Sequence, residues 1–137
     1  MTELSKLAVP GPTMIALTKP FWAAAEEGRL LIQRCDGCGR AVFYPRAMCP
    51  HCWCEDLRWE EASGRGQLKS FSQVWKPGHP GWIPAAPYVV GLVTLAEGPV
   101  MLSHVRPSGR AVVVHDAVIF EPTNVGGRVL PCFRVEI

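Results

Sequence analysis

The order of apolar and polar positions divides this chain into one short helical stretch and a long series of strands. Thr18 precedes Lys19 and Pro20, a first turn that tolerates proline, and Phe21-Trp22-Ala23-Ala24-Ala25-Glu26-Glu27 runs on to Gly28. This predicts a helix capped by Thr18 and stopped at Gly28, with Phe21, Trp22 and Ala25 on one packing face. Residues 29–34 read as a strand and 41–44 as its return. From Trp59 onward, apolar residues alternate or gather in short blocks over 66–76, 88–95, 100–105, 111–121 and 129–137. Ala96-Glu97-Gly98-Pro99 predicts a hairpin between the second and third of these, and His115-Asp116 interrupts the fourth. The remaining stretches read as irregular. Pro10, Gly11 and Pro12 break residues 1–18 into an arm that is poorly ordered unless something docks it. The glycines and prolines of 77–87 exclude regular structure there, while Trp82 and Ile83 place apolar side chains on that loop.

Composition supports a turn-rich, mainly β chain, with 13 prolines and 13 glycines in 137 residues. Five strands of this length suit a small closed barrel, with the five-stranded oligonucleotide/oligosaccharide-binding (OB) barrel as the natural candidate. The expected division is an arm over 1–18, a helix with a metal ribbon over 19–58, and the barrel over 59–137. Fourteen basic against 12 acidic residues leave a formal charge of +2, too little for a general attraction to polyanions. No run of 18 apolar residues exists to span a membrane.

The chemistry concentrates in two C-x-x-C pairs, Cys35-Asp36-Gly37-Cys38 and Cys49-Pro50-His51-Cys52, with ten residues between them. A C-x-x-C turn delivers two sulfurs to one ion and aims its backbone amides at them, so two such turns make a four-thiolate tetrahedral site. Residues 1–20 lack the basic start and apolar run of an export signal, so the thiols are expected to be reduced and cytoplasmic. Zinc fits the four cysteines, and a rubredoxin-like iron centre fits them too; the spacing does not separate the two metals. Either way the site is closed and its role is structural. Cys54 is expected to be a bystander, Cys132 a buried core thiol, and His51 to point outward.

Several ordered motifs together resemble a known family, the zinc-ribbon OB-fold proteins that accompany acyl-CoA enzymes, long catalogued as a domain of unknown function. They are Phe21-Trp22, Gly28-Arg29-Leu30, the run from Gln33 to Gly39, Tyr44-Pro45-Arg46, Cys49-Pro50-His51-Cys52, Ser63-Gly64-Arg65-Gly66, Pro87-Tyr88-Val89-Val90, Glu97-Gly98 and Leu130-Pro131-Cys132-Phe133. His115-Asp116 departs from the pattern, which usually carries a glycine-containing turn there. The resemblance implies a rubredoxin-like ribbon and an OB barrel in a non-catalytic subunit. Its implied partner is a thiolase-like enzyme or acyl-CoA aldolase, including those of steroid side-chain degradation, or a MaoC-like hydratase. It further implies that helix and ribbon dock the partner, which singles out Phe21, Trp22, Phe43, Tyr44 and Arg46. The barrel would help form the acyl-CoA passage, which singles out Trp75, His79, Trp82 and Tyr88.

Two other classes compete. A single-stranded nucleic-acid module wants stacking aromatics in a basic groove; Trp75 and Tyr88 suit it, but the charge of +2 does not. An independent enzyme has little to stand on. There is no His-Glu-x-x-His, phosphate-cradling glycine loop or Gly-x-Ser-x-Gly elbow, and the members of His115-Asp116 and Ser103-His104 point to opposite faces of any regular strand. Phe71, Phe120 and Phe133 are expected in the core.

Overall fold

Ten strands and one α-helix order the chain in a computed structural model that describes residues 4–136. The first three residues of the expected arm, and Ile137 at the end of the expected last strand, lie outside the described residues. Helix α1 spans Lys19–Glu26 and buries Phe21, Ala24 and Ala25. Its stop is physical: Gly28 takes φ +81°, a conformation that costs glycine nothing, and its amide closes onto the Ala25 carbonyl. Thr18 occupies the position before the helix but does not cap it. Its hydroxyl donates backwards to the Ile15 carbonyl.

Strand β1 (Leu31–Cys35) is the centre of a three-stranded antiparallel sheet, flanked by β2 (Ala41–Val42) and β3 (Leu57–Glu61). The return strand is shorter than expected, because Phe43 and Tyr44 leave it after two residues. Strand β3 has no counterpart in the expected series. It completes the sheet in a register that sets Arg34 opposite Arg58, from where Arg34 reaches the Glu60 carboxylate diagonally, with Nε to oxygen 2.7 Å.

The barrel is closed and five-stranded. Strands β4 (Arg65–Val74), β5 (Tyr88–Leu95), β6 (Val100–Arg106), β7 (Ala117–Phe120) and β10 (Cys132–Val135) pair in the order β10-β6-β5-β4-β7, with β10 returning to β7. The β5–β6 hairpin turns where expected. A bulge between Leu68 and Ser70 bends β4 around the barrel. Inside, Leu68, Val93, Val105, Val118 and Phe133 fill the space so fully that a Cβ on Gly91 would press into Leu68 and Val105. The expected strand over 129–137 is split at Pro131: its first residues belong to β9 (Arg128–Leu130), which pairs with the unexpected β8 (Thr123–Val125) in a separate hairpin on which α1 packs.

Three further expectations fail for identifiable reasons, and the arm meets the docking its order was expected to require. The Val112–Val114 run does not form strand. Asp116 accepts a hydrogen bond from the Val113 amide and an ion pair from Arg110, folding 113–116 into a turn with His115 at φ +77°. Residues Pro80–Ala85 form a 3-10 helix despite their prolines, because the His79 ring accepts the Gly81 amide at 2.9 Å and caps it. The arm is docked by the chain itself: Leu7 is buried, the Gly126 amide bonds to the Leu4 carbonyl, and Arg128 donates to the Pro12 carbonyl. Phe71 lies past the bulge, where β4 pairs on one side only, and is not a core residue.

Candidate functional site

The four knuckle cysteines converge. All four Sγ atoms lie within 4.8 Å of one another, with Cys35 to Cys52 at 3.5 Å and Cys38 to Cys49 at 3.7 Å. A tetrahedral ion with metal–sulfur bonds of about 2.3 Å separates its sulfurs by about 3.8 Å, so the spacing fits a bound metal. Backbone amides of Gly37 and Cys38 point at Cys35, and that of His51 at Cys49, an arrangement that favours thiolate. The Cys38 amide leads in drawing the Cys35 thiol down to about 7. For Cys52 the largest single influence, the Cys54 amide, also lowers the thiol, yet neighbouring sulfurs and burial push it up to about 12. Four sulfurs this close resist common ionisation, and a divalent cation removes the conflict.

The surrounding cysteines behave as anticipated. Cys54 stays outside the cluster and takes Asp56 as partner, and Cys132 is buried in the barrel with its thiol pushed up to about 11, chiefly by burial. His51 points outward beside Arg40. With all four ligands from the protein, the centre has no open position for substrate.

The expected docking residues separate into two kinds. Phe21 belongs to the chain's own core at 5% exposure, edge-on to Trp22, so it is not a surface anchor. Phe43 is half-buried against the same core. Trp22 retains an open face, and Tyr44 stands exposed with its hydroxyl accepting the Leu102 amide at 3.1 Å. Arg46 is exposed, and the buried Gln33 clasps its backbone on both sides: Gln33 Nε2 donates to the Arg46 carbonyl at 2.9 Å, and the Arg46 amide donates to Oε1 at 2.7 Å.

The expected passage residues also divide. Trp82 and Tyr88 meet at 5.2 Å between ring centroids, and His104 packs edge-on against both. Together with Trp22, Val90 and Leu102 they line a groove of about 350 Å³. Trp75 is not there; it stands 68% exposed beside Ile83 on a separate shallow depression. His79 is occupied as the cap described above. His115 and Asp116 form no dyad, since the carboxylate is engaged by Arg110 and Val113 and Arg110 holds it below the usual carboxylate range.

Two features were not anticipated from sequence. His104 joins the aromatic groove because alternate residues of β6 face outward, a signal present in the Val100–Arg106 alternation. Trp53 follows the last ligand just as Gly39 follows Cys38, and both adopt left-handed backbone, at φ +68° and +76°. Tryptophan is poorly suited to that conformation, and here it is 75% exposed. Only the repeated knuckle geometry would have revealed it.

Comparison with known proteins agrees with this architecture. The family described as ChsH2, rubredoxin-like zinc ribbon domain matches residues 22–58, and ChsH2, C-terminal OB-fold domain matches residues 59–134. A solved chain described as Ltp2-ChsH2(DUF35) aldolase is 31% identical, covers 93% of this chain and 100% of its own, and superposes with a TM-score of 0.79. A DUF35-family protein of unknown function from Sulfolobus solfataricus shares the fold at TM-score 0.64 and 14% identity, over 88% of this chain and 86% of that one. A probable enoyl-CoA hydratase alpha subunit of Thermomonospora curvata is 41% identical over 98 residues, which are 71% of this chain but 30% of that protein. A DUF35 domain-containing scaffold protein of Pyrococcus furiosus is 33% identical over 78 residues, 57% of this chain and 56% of the relative. The chain thus spans less than two thirds of either curated relative. Matched along most of its length by both domain descriptions, the chain belongs to the ChsH2 (DUF35) family of zinc-ribbon and OB-fold proteins.

Proposed function

We propose that the chain is a non-catalytic accessory subunit that docks on a thiolase-like acyl-CoA enzyme, a thiolase or a retro-aldolase of the kind acting on steroid side chains, and helps form its acyl-CoA site. The observation that carries this reading is the pairing of a closed four-thiolate centre with an aromatic and aliphatic surface that the chain leaves uncovered. Trp22, Tyr44, Trp82, Leu102 and Trp53 present more apolar area than a small monomer needs, and aromatic anchors of this kind dominate interface energetics. The names of relatives, an aldolase, a hydratase subunit and a scaffold protein, support the same role. In this reading zinc occupies Cys35, Cys38, Cys49 and Cys52 and fixes the ribbon. Trp22, Tyr44, Arg46 and Trp53 contact the partner, Trp82 and Tyr88 face the acyl chain, and the six cysteines, none of them in a disulfide, suit the reducing cytoplasm. No helix among the described residues is long and apolar enough to cross a membrane.

Co-expression with a thiolase-like or aldolase subunit, followed by affinity capture and size-exclusion chromatography, tests the role. A stable complex is expected, and Trp22→Ala should weaken it by about 2 kcal/mol, a typical value for a central anchor. A well-behaved monomer that captures no acyl-CoA enzyme and binds single-stranded oligonucleotides would overturn the reading.

A further inference from the structure

Beyond the bulge between Leu68 and Ser70, strand β4 runs on without a neighbour on one side. Strand β7 pairs with it from Arg65 to Gln67, and His115 and Asp116 bond to the two backbone groups of Leu68. From Ser70 to Val74, β5 is the one paired neighbour among the described residues, and Ser70, Phe71, Ser72 and Gln73 are all exposed. Successive strand residues point to opposite faces, so this half of β4 meets water on both faces as well as along one edge.

The bonding groups on that edge can be named. Ala96 donates its amide to the Arg65 carbonyl, whereas Leu95 donates to Pro99 on the β6 side. Alternation along β5 therefore turns Leu92, Val90 and Tyr88 toward β4, and their partners Ser70, Ser72 and Val74 are the bonded residues. The amides and carbonyls of Phe71 and Gln73 point the other way, and among the described residues nothing takes them. Other edges in the fold are managed. Strand β2 is two residues long, β3 carries Arg58, Glu60 and Glu61, and the Leu102 amide of β6 is taken by the Tyr44 hydroxyl. Residues 70–74 hold no charge and no proline, and Lys69 and Lys76 stand outside them. An edge left in this state is a template for another strand.

We propose that residues 70–74 are a dimerisation edge, on which a second copy of this chain lays the same segment antiparallel across a two-fold axis at Ser72. The free groups set the register. With Ser72 on the axis, Phe71 of each copy faces Gln73 of the other, and each such pair exchanges both of its amide–carbonyl bonds. Every free group of the segment is then satisfied, whereas an axis at Phe71 or Gln73 pairs only one of the two within it. The two Ser72 residues face each other without mutual backbone bonds, at a Cα separation of about 4.5 Å that suits so small a side chain. Phe71 of one copy reaches diagonally toward Trp75 of the other, giving cover to side chains that are 37% and 68% exposed. No charge within the segment opposes the match. Each copy spends its open segment on the other, so the assembly closes at two. The ladder is short, and a weak, reversible dimer with a dissociation constant of micromolar order is expected. The pairing does not draw on the accessory role, and either can fail alone.

Sedimentation velocity of the metal-loaded full chain over a wide concentration range tests it, and a reversible monomer–dimer equilibrium is the expected result. Gln73→Pro removes one outward amide and keeps the ladder to β5, so dimerisation should weaken about tenfold or more, with melting midpoint and metal content preserved. A short thiol-specific cross-linker should join two copies of Ser72→Cys above the background of the native chain. It should not join Ser70→Cys, which is also exposed but lies about 14 Å from its counterpart in this register. If Gln73→Pro fails to fold, the cysteine pair decides. A chain that stays monomeric into the millimolar range, a dimer that Gln73→Pro leaves intact, or equal cross-linking from positions 70 and 72 would each overturn the assignment. Loss of the dimer in Gln73→Pro with an intact complex with a thiolase-like subunit would support the edge and keep the accessory role. A monomeric native chain whose complex with that subunit is lost in Gln73→Pro would give the edge to the catalytic partner instead.

Discussion

Strand β1 joins two cores of opposite character. At its start, Leu30 and Ile32 enter an apolar core shared by α1 and the barrel, which includes Phe21, Leu68, Val93 and Phe133. At its end, Cys35 enters a second core made of Cys49 and Val42, with Cys54 and Leu57 packed against it. The first is held by buried hydrocarbon. The second has almost none, and depends on four sulfurs, a few backbone amides and the cation they are suited to hold. The boundary between them therefore runs across the middle of one strand, near the buried Gln33, and not at a linker.

Metal removal should produce the largest separation of the two halves. Chelation, or Cys38→Ser, is expected to release one ion per chain and melt the knuckles together with β2 and the far end of β3, while the barrel remains folded. Hydrogen exchange would show this as lost protection over residues 35–57 with protection retained over 88–106. Cys54→Ser and Cys132→Ser should leave metal content unchanged. Cooperative loss of both regions on chelation would mean that the two cores are one.

The converse experiment enters through the apolar core. Phe133 is fully buried and packs edge-on against Phe120 with ring centroids 5.4 Å apart. Phe133→Ala should cost about 3–5 kcal/mol by removing buried area and leaving a cavity. Metal affinity should change little, which competition with a chromophoric chelator would measure. A large fall in affinity would show that the barrel braces the ribbon directly.

The same contrast explains what could be read from sequence. Ligand positions were legible because C-x-x-C spacing is dictated by the chemistry of the ion, and the barrel strands were legible because alternation reports a buried interior. Strands β3 and β8 were not, since their short, half-buried segments carry little alternation, and the break at Pro131 that separates β9 from β10 was not read either. Phe21 was misread for a related reason: helical spacing groups it with Trp22 but does not say which of the two the barrel covers. Val112–Val114 has strand composition, and the local Asp116 contacts override it. The clasp of Gln33 on the Arg46 backbone joins residues 13 positions apart through side chain and backbone, which no local pattern announces.

A smaller effect is expected at the ribbon tip. Trp53 holds a left-handed conformation that costs a side-chain-bearing residue about 1 kcal/mol or slightly more. Trp53→Gly should therefore raise the ribbon's stability, seen as slower metal loss to a chelator, while weakening association with the catalytic partner. Faster metal loss would show that the exposed indole stabilises the knuckle, and unchanged association would remove it from the interface.

The smallest and most specific test concerns acidity at the aromatic groove. Burial, aided by the nearby Arg106 charge, holds His104 below the usual imidazole value, so the folded chain favours the neutral ring that packs on Trp82 and Tyr88. The unfolded chain binds the proton more readily. The stabilisation from neutral His104 is thus complete above about pH 6.5, the ordinary imidazole value, and is lost as pH falls through the lower folded-state value. Melting midpoints measured between about pH 7.5 and 5.5, a range bracketing the imidazole transition, should fall for the native chain and fall less for His104→Gln. Since metal release also accompanies acidification, the comparison belongs in excess zinc, with Trp82 fluorescence as the local reporter. If both proteins lose stability equally across this range, the acid sensitivity resides in the sulfur core, and the groove is as indifferent to protonation as the rest of the barrel.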